Sequence, residues 1–264
     1  MPRFCANISW LFKEHAPLDR VAAAMDAGFD GIEVQFPYAD GSAAEWARAV
    51  KAASAAVGVI NVPPGDLMQG GAGLNTSRAR QGAYRDAVGQ AVEYATALGA
   101  YCVNVIGGPP LPGDSHDQAW GAFVENLAFA AEALAPHGVR VVTEPMNPVD
   151  RPDWVCNSLA RGLAAIDAAG HPALGIEFDL YHMQIGEGCA LSALRRHLPR
   201  VAHVQIADFP GRHEPGTGAL DFPAIYAALD QGGYRGWTGA EYLPGGQTGD
   251  GLAWLKWRKQ ASNI

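Results

Sequence analysis

Two rhythms of apolar residues alternate along this chain. Short runs dense in Val, Ile and aromatic side chains are each followed by a longer stretch in which apolar residues return every three or four positions. The first rhythm predicts a buried strand and the second an amphipathic helix. Phe4 to Ser9 reads as the first strand. Pro17 to Gly28 reads as the first helix, with Leu18, Val21, Ala22 and Met25 at helical spacing and Gly28 placed as a C-terminal cap. Gly31 to Gln35 and Val57 to Asn61 follow as strands, separated by an Ala-rich helix from about Ala43 to Ala56. A helix over Arg78 to Leu98, a strand over Tyr101 to Ile106 and a helix over Gln118 to Ala135 continue the alternation. The second half repeats it. Strands are expected at Val139 to Glu144, Leu174 to Asp179, Val201 to Gln205 and Trp237 to Glu241, and helices at Ser158 to Ala169, Cys189 to His197, Phe222 to Gly232 and Gly251 to Lys259.

Eight strands alternating with eight helices imply a parallel sheet with right-handed crossovers, and over 264 residues that pattern fits one closed (β/α)8 barrel. The whole chain, residues 1–264, is expected to be a single domain. An open doubly wound sheet would carry a glycine fingerprint after its first strand, and Asn7-Ile-Ser-Trp-Leu11 is not one. The long exit from the third strand, Pro63 to Asn75, contains Gly70-Gly-Ala-Gly73 but opens no obvious helix. It reads as a flexible lid rather than a phosphate cradle.

In a barrel the C-terminal ends of the strands share one rim, where active sites lie. Val139-Arg-Val-Val-Thr-Glu144 stops at Pro145, which has no N–H to give a ladder. Leu174-Gly-Ile-Glu-Phe-Asp179, Val201-Ala-His-Val-Gln205 and Trp237-Thr-Gly-Ala-Glu241 likewise run apolar residues into an oxygen ligand. Any one of these alone reads as an ordinary strand-end residue; four in successive units point to a site. Glu177 lies two residues before Asp179 and projects to the same side, either supporting the site or as a buried paired acid.

Three carboxylates and a carboxamide converging on a rim repel one another unless a cation sits between them. Hard divalent ions favour oxygen donors, whereas Zn²⁺ usually recruits His or Cys. Glu144, Asp179, Gln205 and Glu241 are therefore the expected ligands of Mg²⁺ or Mn²⁺. An ion holding both oxygens of an α-hydroxycarbonyl compound stabilises the enediolate formed when the intervening C–H is deprotonated. Glu144 and Glu241, on opposite sides of such an ion, are the expected pair that takes a proton from one carbon and returns it to the next.

Composition narrows the partners. A chain that is 48% hydrophobic and 17% charged has the balance of a globular enzyme, and a formal charge of −8 disfavours nucleic acid and anionic membrane surfaces. A small-molecule substrate is expected instead. Cys5, Cys102, Cys156 and Cys189 form no C-x-x-C pair and read as reduced and mostly buried. The N-terminus has no apolar signal core and no apolar run reaches the roughly 18 residues a membrane span needs, so a cytoplasmic protein is expected.

Several segments carry a resemblance: Arg3-Phe-Cys-Ala-Asn-Ile-Ser9, Gly31-Ile-Glu-Val-Gln-Phe-Pro-Tyr38, Pro64-Gly-Asp66, Val124-Glu-Asn-Leu127, Glu144-Pro-Met-Asn147, Phe178-Asp-Leu-Tyr-His-Met-Gln184, His203-Val-Gln-Ile-Ala-Asp208, Arg212-His-Glu-Pro-Gly-Thr-Gly218 and Gly239-Ala-Glu-Tyr242. Together, and nearly end to end, they resemble the hydroxypyruvate isomerase family. That family lies in the xylose isomerase-like TIM barrel superfamily, with 2-oxotetronate isomerases, ketose 3-epimerases, inosose-processing enzymes and endonuclease IV. The resemblance implies the same four metal ligands, Glu144 and Glu241 as proton carriers, and His182 and Arg212 facing the substrate. An imidazole can donate to a carbonyl or alkoxide oxygen, and a guanidinium grips a carboxylate with two parallel hydrogen bonds.

On the residues alone, His182 is equally a satisfied core histidine, and Arg212 is equally solvated or paired with Glu214. Asn7, Glu33 and Asn61 are candidates for substrate contact or for structural hydrogen bonds, and Trp10, Phe36 and Trp154 for the walls of a small pocket. The activity implied is metal-dependent isomerisation of hydroxypyruvate to tartronate semialdehyde. A 2-oxotetronate or other small keto-sugar isomerase, or a ketose 3-epimerase, would use the same machinery. An endonuclease IV-like nuclease would need a His-rich zinc cluster and a basic groove, which the net charge opposes. Related barrels often dimerise or tetramerise, so a homo-oligomer is left open. Hydroxypyruvate isomerases commonly carry His, Glu and Lys where this chain has Ile60, Ala219 and Leu243; losing a potential cation at Leu243 weakens the case for an anionic three-carbon acid and leaves the aldose–ketose chemistry untouched.

Overall fold

Parallel strands cannot be joined by tight turns, so each crossover is long enough to cover the outer face of the strands it links. In the computed structural model, which describes residues 2–256, the strands are β1 (Arg3–Asn7), β2 (Gly31–Val34), β3 (Ala56–Asn61), β4 (Ala100–Asn104), β5 (Arg140–Thr143), β6 (Leu174–Asp179), β7 (Val201–Ile206) and β8 (Trp237–Ala240). They pair in chain order, all parallel, and β1 closes on β8. The helices are α1 (Asp19–Asp26), α2 (Ala43–Ala52), α3 (Gln81–Leu98), α4 (His116–Leu134), α5 (Leu159–Ala169), α6 (Leu180–Glu187), α7 (Ala190–His197) and α8 (Phe222–Gln231). The result is the (β/α)8 barrel that the alternation predicts.

Side chains alternate across each strand and divide the interior in two. Phe4, Ala6, Ile32, Val141 and Val204 face outward and join Val21, Trp46, Tyr84, Phe123, Leu194 and Phe222 of the helices in one continuous apolar core. Val142, on the opposite face of β5 from Val141, belongs instead to a small separate cluster with Val59, Cys102 and Ala202. Cys5, Asn7, Glu33, Glu177, His203 and Gln205 are buried as well, and they give the barrel interior a polar section beside that cluster.

Three expectations need correction. The helix expected to run to Ala56 stops at Ala52, because Ser54 turns left-handed at φ 53° and Ala55 N–H donates to the Val50 carbonyl, which leaves Ala56 free to start β3. The sequence pattern predicts no helix between Asp179 and Cys189, yet α6 starts there directly from β6. Asp179 closes the strand and caps the helix, its Oδ1 accepting from the N–H groups of Tyr181 at 2.7 Å and His182 at 3.4 Å. The helix expected over Gly251 to Lys259 is a 3₁₀ run, Thr248–Lys256, and residues 257–259 lie outside the described residues. Among the described residues no helix is long and apolar enough to cross a membrane.

All four cysteines are free, with Cys5, Cys102 and Cys156 buried and Cys189 exposed. Burial pushes the thiols of Cys5 and Cys102 up and that of Cys156 to about 12. A thiol–disulfide exchange reagent is accordingly expected to titrate Cys189 alone in the native protein and all four thiols in denaturant. Rapid labelling of more than one native thiol would contradict this placement.

Candidate active site

A cavity of about 590 Å³ opens at the C-terminal end of the barrel. Trp10 after β1, Phe36 after β2 and Trp154 after β5 line it, as do Leu67 and Met68 of the loop expected to be a lid. That loop is organised by Asp66. Its Oδ1 accepts from Gly73 N–H at 2.8 Å and from Arg80 Nη1 at 2.7 Å, and its carbonyl accepts from Gly71 N–H at 2.9 Å. Glu144, Arg212 and Glu241 are among the polar residues of its wall.

Of the four strand-end residues, Glu144 and Glu241 line the cavity, while Asp179 and Gln205 are buried and do not. Glu144 is the residue after β5 and Glu241 the residue after β8, while Asp179 ends β6 and Gln205 sits one residue from the end of β7. Arg212 Nη2 donates to Asp179 Oδ2 and to Glu241 Oε1, each at 2.9 Å. Gln205 Nε2 donates to Glu241 Oε2, as does Asn7 Nδ2 at 3.0 Å. Burial raises the pKa of Glu144 to about 8, with repulsion from Asp179 adding to it. Burial also raises Glu241 and Glu177 well above the ordinary carboxylate range, against the attraction of Arg212 at Glu241 and with Glu144 adding to the rise at Glu177. Both Glu177 oxygens are buried without a hydrogen-bond partner.

His182, in the first turn of α6, brings its Nε2 to 3.6 Å from Glu144 Oε1 and 3.8 Å from Asp179 Oδ2. Its proton can be placed through Asn147, a residue whose role the sequence did not suggest. Asn147 Oδ1 accepts from the N–H groups of Val149 at 3.1 Å and Asp150 at 2.8 Å, so its Nδ2 is the end that donates to His182 Nδ1 at 2.8 Å. The ring hydrogen therefore lies on Nε2, directed at the acids. Burial lowers the pKa of His182 to about 4, so the ring is a neutral donor near pH 7.

Arg212 does not pair with Glu214. Its loop is built on Asp208, whose carboxylate accepts from the N–H groups of Phe209, Gly216 and Gly218 at 2.8 Å and Leu220 at 3.0 Å. The Arg212 backbone is left-handed at φ 58°, and its N–H donates to the Asp208 carbonyl. The guanidinium lies 4.8 Å from the Trp10 ring and 5.2 Å from the Tyr181 ring. Burial alone would lower its pKa, but Asp179 and Glu241 hold it above the ordinary guanidinium value.

The xylose isomerase-like TIM barrel model matches residues 21–257. The chain belongs to this family. It is 40% identical to a 2-oxo-tetronate isomerase of Cupriavidus necator over 97% of this chain and 98% of that one, and 35% identical to the hydroxypyruvate isomerase of Escherichia coli over 97% and 98%. Among solved structures it superposes with a TM-score of 0.91 on an AP endonuclease, family 2, from Brucella melitensis, at 37% identity over 97% and 98% of the two chains.

In this xylose isomerase-like barrel the residues fit a hard divalent ion. Glu144, Asp179 and Glu241 provide carboxylates, and Gln205 Oε1 is buried with no hydrogen-bond partner. One ligand atom each from Glu144, Asp179 and His182 lie within 4.8 Å of one another. Asn7, Glu33 and Asn61 do not line the cavity. Asn7 and Glu33 reach Glu241 and Gln205 from inside the barrel, and the Asn61 carbonyl accepts from the Tyr38 hydroxyl at 2.6 Å. Gln35 does line it, its Nε2 donating to Glu241 Oε1 at 3.4 Å. Its place after β2 was a signal the sequence offered and the strand-end pattern of acids obscured. Ile60 packs in the outer core, while Ala219 and Leu243 are exposed and outside the cavity wall.

Proposed function

We propose that this protein is an aldose–ketose isomerase of small hydroxy-keto acids that requires Mg²⁺ or Mn²⁺ and interconverts hydroxypyruvate and tartronate semialdehyde. The observation that carries the reading is the presence of Glu144 and Glu241 on the wall of one cavity, each beside further buried oxygen donors. The activities named for the Cupriavidus necator and Escherichia coli relatives agree with it. When bound, a divalent ion polarises the substrate carbonyl and offsets negative charge on its oxygens.

The remaining work falls to side chains. One glutamate takes the proton from C3 of hydroxypyruvate and the other delivers a proton to C2, while the hydroxyl proton passes from the C3 oxygen to the C2 oxygen. His182 Nε2–H donates to the substrate oxygen on which charge develops. Arg212, fixed between two aromatic rings, faces the cavity and receives the substrate carboxylate.

A second reading is favoured by one observation. A cavity of about 590 Å³ lies in the range that holds drug-sized ligands and exceeds what a three-carbon acid fills. 2-Oxo-tetronate, one carbon longer, fits the same machinery. The test is turnover of both acids by metal-stripped protein with and without Mg²⁺ or Mn²⁺. No turnover when stripped and recovery with either ion is expected. Turnover that survives complete metal removal, or its absence with every ion on both acids, would overturn the proposal.

A further inference from the structure

Gln205 can serve as an oxygen donor only if its amide is turned the right way, and the structure contains a device that turns it. Glu33, fully buried on β2, has four hydrogen-bond partners on two other strands. Its Oε1 accepts from Asn7 Nδ2 and Gln205 Nε2, each at 2.9 Å, and its Oε2 shares a hydrogen bond with His203 Nε2 at 2.7 Å and accepts from Cys5 Sγ at 3.6 Å. Space is reserved for this carboxylate. A Cβ at Gly239 on β8 would stand 2.0 Å from Glu33 Oε2, and one at Gly58 on β3 would stand 2.9 Å from Cys5 Sγ.

Glu33 Oε1 acts here as an acceptor, and Glu241 Oε2 is the other acceptor facing the same Gln205 nitrogen. Turning the Gln205 amide over would set its oxygen against Glu33 Oε1, which already accepts from Asn7 Nδ2, so the amide nitrogen stays toward Glu33 and its own oxygen away from it. Gln205 Oε1 is thereby left buried and without a partner. Asn7 is fixed in the same sense, its Nδ2 donating to Glu33 and Glu241 while its Oδ1 accepts from Ser9 N–H at 3.0 Å.

We propose that Glu33 is a positioning residue that locks the Gln205 amide with its oxygen toward the divalent ion. The proposal rests on the metal-site reading above. Partners that orient metal ligands from behind typically change metal affinity about 10–100-fold when replaced. Glu33→Gln offers a donor as well as an acceptor and so releases the lock. A Gln205→Glu background presents an oxygen whichever way the group turns, so the lock has nothing left to do there.

The experiment is Mn²⁺ binding to the metal-stripped full chain, followed by the electron paramagnetic resonance signal of free Mn²⁺, for wild type, Glu33→Gln, Gln205→Glu and the double variant, with circular dichroism on each. The expected result is a loss of about 10-fold or more on Glu33→Gln in the wild-type background and a loss under about 3-fold in the Gln205→Glu background, a non-additivity that lost stability alone does not produce. Equal losses in both backgrounds, or no loss in the first, would overturn the role of Glu33 and leave the metal site standing. Wild type that binds no Mn²⁺ would overturn the metal site, and this role with it. Should Glu33→Gln not fold, the Gln205 side-chain amide of the wild type decides by nuclear magnetic resonance. Its protons are expected to stay protected from exchange with Mg²⁺ bound, and rapid exchange would overturn the proposal.

Discussion

Glu144→Gln and Glu241→Gln are each expected to lower turnover by about 10³-fold or more while leaving the barrel folded, since under the proposed mechanism each removes a proton carrier, for which general acid–base catalysis supplies roughly 10²–10⁴, and an oxygen donor as well. The accompanying stability change separates this from simple damage. Glu144 is buried and repelled by Asp179, so its pKa of about 8 in the fold lies above the ordinary carboxyl value of 4.5. An acid raised in this way supports the fold fully only below its unfolded pKa, and that support is lost as pH rises through the folded value. The neutral isostere escapes the loss. Metal-stripped Glu144→Gln is therefore expected to melt at or above wild type at pH 8, with the advantage shrinking toward pH 4.5. Turnover kinetics beside thermal melts at both pH values check this. An inactive variant that melts far below wild type at pH 8 would mean that Glu144 holds the fold rather than the reaction.

Gly239→Ala is the second large effect, this time on stability. The added Cβ would fall 2.0 Å from Glu33 Oε2 and 2.4 Å from its Cδ. The carboxylate cannot swing aside without abandoning Asn7, Gln205 and His203, and β8 is held by β7 and β1 on either side. Overpacking in a closed interior typically costs about 1–3 kcal/mol, and breaking a buried hydrogen-bond network adds to it. A loss of about 3 kcal/mol or more is expected, which for a chain of this size lowers the melting temperature by roughly 10 °C. Denaturant melts with an unchanged slope would show the loss to be one of native stability. A melting point within about 2 °C of wild type would mean that the Glu33 cradle is far looser than its contacts imply.

The barrel was legible because strand and helix periods alternate without interruption, and each period is a local property of the chain. The places of the four strand-end residues were legible for the same reason. Glu144, Asp179, Gln205 and Glu241 each follow a run of apolar strand residues, and fold-level geometry then gathers strand ends on one rim. Failures occurred where one residue serves two elements or where partners lie far apart in sequence. Asp179 closes β6 and caps α6, so a reading that ended at the strand passed over the helix. The alanines after Ala52 favour helix, but the Ser54 turn gives Ala56 to β3. Asn147 reaches the site through His182 on the next crossover, and Asp208 through the loop hydrogen bonds that shape the Arg212 backbone. The contact of His203 with Glu33, 170 positions apart, has no local signature at all.

Isomerisation of hydroxypyruvate in D₂O by the Mg²⁺- or Mn²⁺-loaded protein, read by nuclear magnetic resonance or mass spectrometry of the product, tests the central claim most directly. Proton removal by one glutamate and delivery by another, whose own proton has equilibrated with solvent, predicts deuterium at C2 of tartronate semialdehyde in nearly every product molecule. Product formed with the original C3 hydrogen carried over to C2 and no solvent deuterium would contradict the account, because a direct hydride shift needs neither glutamate as a proton carrier.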